Sequence, residues 1–165
     1  MSKSRIYAAV IALIMIFGFS TMDFVVAGET VKTKASGTSI NTKWNEIEVG
    51  DEEGHVIAVF QNTQAWVLEP DGATTTQFSR GTMDLHKKTG QGTMQGYSIM
   101  TYPGGDKRYA SFDGKIAGKG KWEGTYTDIG GTGKFEGCKG GGTWKTQSLG
   151  PGISHIEAEG ERTFK

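Results

Sequence analysis

The sequence contains little cysteine: Cys138 is the only one in 165 residues. A single thiol cannot form an intramolecular disulfide, so packing alone must hold the fold together. Cysteine is among the residue types most often buried, where it behaves as a small hydrophobic side chain. A reactive thiol needs a nearby histidine or helix N-terminus to lower its pKa, and the sequence indicates neither. We therefore predict that Cys138 belongs to the core.

An excess of one charge is also absent, because 18 basic side chains balance 18 acidic ones and the two signs are interspersed. Proteins that bind nucleic acid or anionic membranes typically carry clustered Lys and Arg. The charge pattern therefore argues against a nucleic-acid partner. It argues equally against a membrane partner for the part of the chain that follows the N-terminal leader described below.

The sequence lacks a recognisable catalytic, cofactor or metal-binding motif. His55, His86 and His155 lie far apart, and none has a paired Asp, Glu or Cys at ligand spacing. A metal site would need several such side chains to converge in space. The sequence therefore predicts no metal site, no cofactor and no catalytic residue.

The first 27 residues have the features of a secretory signal peptide. Lys3 and Arg5 form a basic region, an apolar stretch covers residues 6–19, and residues 25–27 offer a cleavage site. The apolar stretch is shorter than the roughly 20 residues that a membrane-spanning helix needs. We predict cleavage after Ala27 and export to the periplasm or the extracellular space, with an uncleaved N-terminal anchor as the alternative. Residues 28–41 are rich in Thr, Lys, Ser and Gly, which predicts a flexible lead-in.

From residue 42 onward, short runs with period-two alternation lie between turn signals, and no stretch has a helical period. Strands are predicted at 42–49, 56–61, 65–68 (weak), 78–86, 93–102, 107–116, 121–128, 142–147 and 155–163, and the weak run is to be dropped or merged. The turns are short and rich in glycine, so neighbouring strands should pair as antiparallel hairpins. We predict an all-β domain at 42–165, a closed eight-stranded antiparallel barrel of the up-and-down, lipocalin-like type, because closure removes the exposed edges.

Alternation also assigns faces to the strands. Inward sets are predicted to be Trp122, Gly124 and Tyr126; Ala110, Phe112, Gly114 and Ile116; and Ile156, Ala158 and Gly160. Large rings therefore face glycine and alanine on neighbouring strands, as in small barrels. The run Gly130-Gly131-Thr132-Gly133-Lys134 lacks the spacing of a phosphate-binding loop. We interpret it as a tight connection across the end of the barrel, which Phe135 plugs.

The run from Gly130 to Gly137, GGTGKFEG, followed by residues 140–143, GGGT, resembles the late glycine-rich motif of allene oxide cyclase-like and dirigent-like barrels. The runs GKWEGTY at 120–126 and HVIAVF at 55–60 are similar to the strand pattern of that family. The similarity is greatest to exported bacterial members and spans about residues 42–164. It implies an eight-stranded barrel with a mainly apolar interior, and a trimer in the plant members. The relatives steer a reactive small molecule inside the barrel, but their catalytic residues have no matching positions here.

A small apolar or aromatic ligand is the first hypothesis for function, bound in the interior without turnover. The residues predicted to contact it are Phe60, Phe112, Trp122, Tyr126 and Trp144. The second hypothesis is an isomerase or cyclase that acts by confinement, and the third is a structural or oligomer-forming barrel with a filled core. Glu123 and Asp128 would serve as acids or bases only if buried, and alternation places Glu123 outward. An outward apolar patch around Tyr97, Ile99 and Tyr109 would favour a homo-oligomer.

Overall fold

A computed structural model describes residues 28–165, and in it eight antiparallel strands close into one barrel in up-and-down order. The strands are β1 (Thr30–Glu48), β2 (His55–Glu69), β3 (Thr74–His86), β4 (Gln91–Thr101), β5 (Lys107–Gly118), β6 (Lys121–Gly131), β7 (Lys139–Gly150) and β8 (Ile153–Thr163). A single turn of 3-10 helix, Gly133–Phe135, lies between β6 and β7. Because β8 returns to pair with β1, the barrel has no free edge. The predicted fold class is confirmed.

The start of the barrel differs from the prediction. The segment 28–41 is not a flexible lead-in, because β1 begins at Thr30 and pairs through Ile40 with β8. Its inward residues, Ala35, Gly37 and Ser39, are too small or too polar to give a visible hydrophobic alternation. The pairing partner lies at the other end of the chain, so no local signal marks the segment as a strand. The predicted signal peptide, residues 1–27, lies outside the described residues.

The connections between strands follow the predicted turns. The runs at 56–61 and 65–68 are both part of β2, so the weak run merges with its neighbour. Glycines at the predicted turns have positive φ, a conformation that residues with a Cβ rarely adopt; they are Gly50, Gly54, Gly72, Gly90, Gly104, Gly105, Gly120 and Gly152. Between residues 28 and 165, no helix is long and apolar enough to cross a membrane.

The main hydrophobic core lies at the end of the barrel where β6 ends and β7 begins. It contains Trp66, Met100, Tyr102, Phe135, Cys138 and Ile156. Phe135 is only 2% exposed, and its ring packs against those of Tyr102 and Phe164 with centroids 4.3 and 5.9 Å apart. Phe135 therefore plugs this end of the barrel as predicted, and Cys138 is a buried core residue as predicted.

Rings and glycines alternate in pairs around one row of the barrel. The register joins Phe60 to Gly81, Gly81 to Gly96, Gly96 to Phe112, Phe112 to Tyr126, Tyr126 to Gly142, and Gly142 to Gly160. A Cβ at Gly96 would lie 2.7 Å from Cζ of Phe112. The bare backbone therefore makes room for the ring beside it, as the alternation predicts.

Candidate ligand-binding cavity

The barrel encloses a cavity of about 680 Å³, within the usual range for small-molecule sites. All five residues predicted to contact a ligand line it: Phe60, Phe112, Trp122, Tyr126 and Trp144. The interior is therefore not filled, in contrast to the expectation of the structural hypothesis. Whether these five residues contact a ligand stays a prediction.

The aromatic wall is built from β2, β5 and β7. The rings of Phe60 and Phe112 lie 6.3 Å apart, and Phe112 meets the ring of Trp144 edge to face, also at 6.3 Å. Nε1 of Trp144 donates a hydrogen bond to the carbonyl of Thr125 at 3.0 Å, which fixes the indole. Edge-to-face pairs of this kind add stability beyond their buried area. The wall is therefore a rigid surface against which a flat apolar molecule can pack.

All four tryptophans of the chain line the same cavity: Trp44, Trp66, Trp122 and Trp144. Trp44 is 37% exposed, whereas Trp66 is 4% exposed. Tryptophan fluorescence therefore reports on the interior of the barrel and has no contribution from an indole elsewhere in the chain.

Gly124 does not create the empty space that its position between Trp122 and Tyr126 suggests. A Cβ at Gly124 would clash with the backbone of β5, and a Cβ at the paired Gly114 would clash with the ring of Trp144. Gly124 therefore allows the backbones of β5 and β6 to lie close together, and Gly114 leaves room for the ring of Trp144.

A polar belt crosses the cavity on β1, β2 and β3. Nε2 of Gln77 donates to Oε1 of Gln64 at 2.5 Å and to Oγ of Ser79 at 3.2 Å, and Nε2 of Gln64 donates to Oγ of Ser39 at 3.4 Å. These side chains satisfy one another and are buried. Two other polar atoms of lining residues, Oδ1 of Asn41 and Nε1 of Trp66, are buried without a hydrogen-bond partner among the described residues. Both atoms are enclosed by neighbouring protein atoms and are not exposed to the cavity.

A charged cluster is formed by side chains from β5, β6 and β8, with β7 between the last two. Oδ1 of Asp128 accepts a hydrogen bond from Nη1 of Arg108 at 2.9 Å, and Oδ2 accepts one from Nε of Arg162 at 2.7 Å. The carboxylate is fully buried and each arginine side chain is no more than 8% exposed. Arg108 also lies over the ring of Tyr126, at 5.2 Å from its centroid. Both arginines line the cavity.

Two pKa shifts describe the electrostatics of this region. Burial lowers the pKa of Arg162, but Tyr102 and Asp128 outweigh it and hold that pKa above its ordinary value. The guanidinium is therefore charged at any physiological pH. Burial raises the pKa of the Cys138 thiol, and the negative charge of Asp128 raises it further. Cys138 is consequently a thiol and not a thiolate nucleophile at neutral pH.

Sequence reasoning missed the two arginines and did not place Asp128 in the interior, although the signal was present. Asp128 is in phase with the inward residues Trp122 and Tyr126, and Arg108 is in phase with Ala110. Arg162 continues the inward series of β8 in the same way. Three charged residues in the inward phase on three strands indicate a buried ionic cluster.

His55 and His86 come together on the outer surface, in contrast to their separation in sequence. The register of β2 and β3 pairs them, and their rings stack with centroids 4.0 Å apart. With Asp84 they form a set whose potential metal-ligand atoms lie within 4.8 Å of one another. Nδ1 of His55 lies 2.7 Å from the carboxylate of Asp51, and Nε2 lies 2.9 Å from that of Asp84. Both nitrogens of His55 therefore already have carboxylate partners.

The outer surface is apolar where the sequence suggested a patch. Tyr97 and Ile99 are 67% and 43% exposed, and Tyr109, which pairs with Ile99, is partly buried. Assembly through this surface stays a prediction.

Comparison with known proteins finds solved structures that have a similar fold. No protein-family model matches the sequence, and no curated protein matches it. Two solved structures of pterocarpan synthase dirigent proteins are similar to the chain. GePTS1 has a TM-score of 0.51 at 13% identity and covers 90% of this chain and 99% of its own. PsPTS1 has a TM-score of 0.50 at 13% identity, with coverages of 84% and 97%.

A third similar structure is a conserved protein of unknown function from Rhodopseudomonas palustris, with a TM-score of 0.50 at 7% identity. It covers 82% of this chain and 99% of its own. Identities this low establish the fold and leave the activity open. The resemblance seen in the glycine-rich motif is thus confirmed at the level of the fold, and the chain has the same barrel fold as these dirigent proteins.

Proposed function

We propose that the protein binds one small apolar or aromatic molecule inside the barrel, without turnover. The observation that carries the proposal is the cavity of about 680 Å³, whose aromatic wall is held by edge-to-face contacts. Small-molecule sites are typically concave and mainly apolar, with a few polar groups that fix orientation. Polar side chains that line the cavity, among them Ser98, Arg108 and Arg162, supply such groups.

Tryptophan fluorescence tests the proposal directly, because every indole lines the cavity. We expect saturable changes in emission on titration with small aromatic molecules. Native mass spectrometry of protein purified from its own host should also show a retained ligand.

A matched pair of variants on β7 separates binding inside the barrel from binding outside. Thr146 lines the cavity, whereas the adjacent Gln147 is exposed. Thr146→Phe should weaken binding because the new ring occupies the cavity, and Gln147→Phe should leave binding unchanged. Equal effects of the two variants would mean that the ligand binds elsewhere.

Catalysis by confinement is the second candidate, and a specific observation favours it. The cavity is lined by the buried residues Ser39, Ser79 and Ser98, and by Arg108 and Arg162, which bind the fully buried carboxylate of Asp128. Buried titratable groups in a cavity are the usual source of acid and base catalysis. The solved structures of similar fold are named as pterocarpan synthase dirigent proteins. Chiral chromatography of a bound ligand recovered after incubation distinguishes the two candidates, since only the second yields a new isomer.

We also propose that the barrel acts after export, in the periplasm or outside the cell. The basic, apolar and small-residue segments of residues 1–27 support this location. Mass spectrometry of the protein from its host should give a chain that begins at Gly28. An intact N-terminus at Met1 would favour the anchored alternative.

A further inference from the structure

The charges buried in the cavity do not balance. Arg108, Asp128 and Arg162 are 7%, 6% and 6% exposed and line or adjoin the cavity, so two positive charges face one negative charge. The other charged residues that line the cavity are exposed: Lys32, Lys34, Glu69, Asp71 and Lys134. Among the described residues, the interior therefore carries one uncompensated positive charge.

The hydrogen-bond donors of the cluster are not all used. A guanidinium has five N–H donors, and Asp128 accepts from one nitrogen of each arginine. Nε of Arg108 is buried and has no partner in the part of the chain that the structure describes. A buried polar atom without a partner is costly, and an unpaired buried charge more so.

Aromatic rings offset only part of this cost. Arg108 lies over Tyr126 at 5.2 Å, and Arg162 lies over Phe135 at 5.6 Å. A contact of this kind is attractive but leaves the charge of the guanidinium in place. The two rings orient the guanidiniums but supply no negative charge to neutralise the excess.

We propose that the ligand of the barrel carries a single carboxylate, which binds Arg108 and Arg162 while its apolar body lies against the aromatic wall. This inference rests on the proposed binding function and narrows it to one class, apolar or aromatic monocarboxylates. A carboxylate matches the planar fork of donors that a guanidinium presents. Its single negative charge equals the excess in the cluster, whereas a phosphate monoester would bring about two.

Three probes of matched length test the charge requirement: 4-phenylbutyrate, 4-phenylbutanamide and 4-phenylbutylamine. They share an apolar body and differ in the charge of the head group, and tryptophan emission reports their binding. We expect the carboxylate to bind at least about tenfold more tightly than the amide, since hydrogen bonds to charged groups are the stronger ones. The amine should bind most weakly because its charge repels the arginines.

Substitutions of the arginines test whether the preference for the carboxylate probe depends on this cluster. Arg108→Gln leaves Asp128 paired one to one with Arg162, so the variant should fold and should bind the carboxylate no better than the amide. Arg108→Lys keeps the charge without the planar fork and should give an intermediate affinity. Arg80→Gln is the matched control, because Arg80 is exposed on the outer surface over Phe78, and it should change nothing.

The outcomes separate this inference from the proposed function. Equal affinity for carboxylate and amide would overturn the carboxylate site and leave binding in the barrel intact. A preference for the carboxylate that survives Arg108→Gln would also overturn it. If none of the three probes alters the emission, both the site and the proposed binding function fail.

Discussion

Rings seated over glycines line one half of the barrel interior, and a carboxylate held between two guanidiniums lies in the other. In the first half, Trp144 covers Gly114, and Phe112 meets both Phe60 and Trp144. In the second half, both oxygens of Asp128 are committed to arginines. The ring contacts are many and individually weak, so the loss of one contact should lower the stability only a little. The ionic contacts are few and depend on one another, so the loss of the shared carboxylate removes them all.

Asp128→Asn should produce the largest effect, because it leaves two buried guanidiniums without a counter-charge. Breaking a buried ion pair from one side typically costs about 3–5 kcal/mol, and we expect a loss in that range in the free energy of unfolding measured with urea. Arg108→Gln should cost less, because the remaining pair of Arg162 and Asp128 is neutral. If the two variants are equally destabilised, charge balance is not what stabilises this half.

A carboxylate ligand should partly restore Asp128→Asn. An anion that binds the two arginines of the folded state stabilises that state by mass action. The melting temperature of Asp128→Asn should therefore rise more with added 4-phenylbutyrate than with 4-phenylbutanamide. An equal rise with both compounds would show that the arginines do not discriminate between them.

Gly114→Ala tests the ring half and should have a smaller effect. The new Cβ would clash with the ring of Trp144, which must shift into the cavity. Overpacking of this kind typically costs about 1–3 kcal/mol, measurable by urea unfolding. The control is Gly150→Ala, where a Cβ would meet no atom within 4 Å, and it should stay within about 0.5 kcal/mol of the parent. If the two variants lose the same free energy of unfolding, the cost comes from replacing a glycine in the backbone and not from the contact with Trp144.

The two halves also differ in how far the sequence predicts them. Rings that alternate with glycine give a period-two pattern within one strand, so Trp122, Gly124 and Tyr126 reveal their face without reference to any other strand. The partners of Asp128 lie on β5 and β8, and only the register of the closed barrel brings them to it. A charged residue is usually exposed, so the inward phase of Asp128 does not by itself predict that its carboxylate is buried. The early part of β1 was missed for a related reason, since its ladder with β8 joins the two ends of the barrel domain.

The smallest effect is expected at His55, on the outer surface of the barrel. The signs of charge in this cluster are opposite to those in the buried cluster, where a carboxylate lies between two arginines. Here a histidine lies between two carboxylates, and its pKa is raised first by the hydrogen bond to Asp51 and then by that to Asp84, against burial, which lowers it. The pKa of Asp51 is lowered by the same contact with His55. Since these groups are close to solvent, their interaction is screened and should contribute little.

The sign of the pH dependence follows from the raised pKa of His55. The stabilisation is fully present below the ordinary histidine pKa of about 6.5 and is lost as pH rises through the raised value in the folded state. The melting temperature of the parent should therefore fall as pH rises above about 6.5, and His55→Gln should remove part of that fall. Thr63→Gln, at an exposed position of β2, is the control, because it removes no titratable group and should keep the parent's pH profile. If the melting temperature of His55→Gln depends on pH as that of the parent does, the exposed cluster contributes nothing to stability. If His55→Gln loses as much stability as Asp128→Asn, burial is not the reason why the two clusters differ.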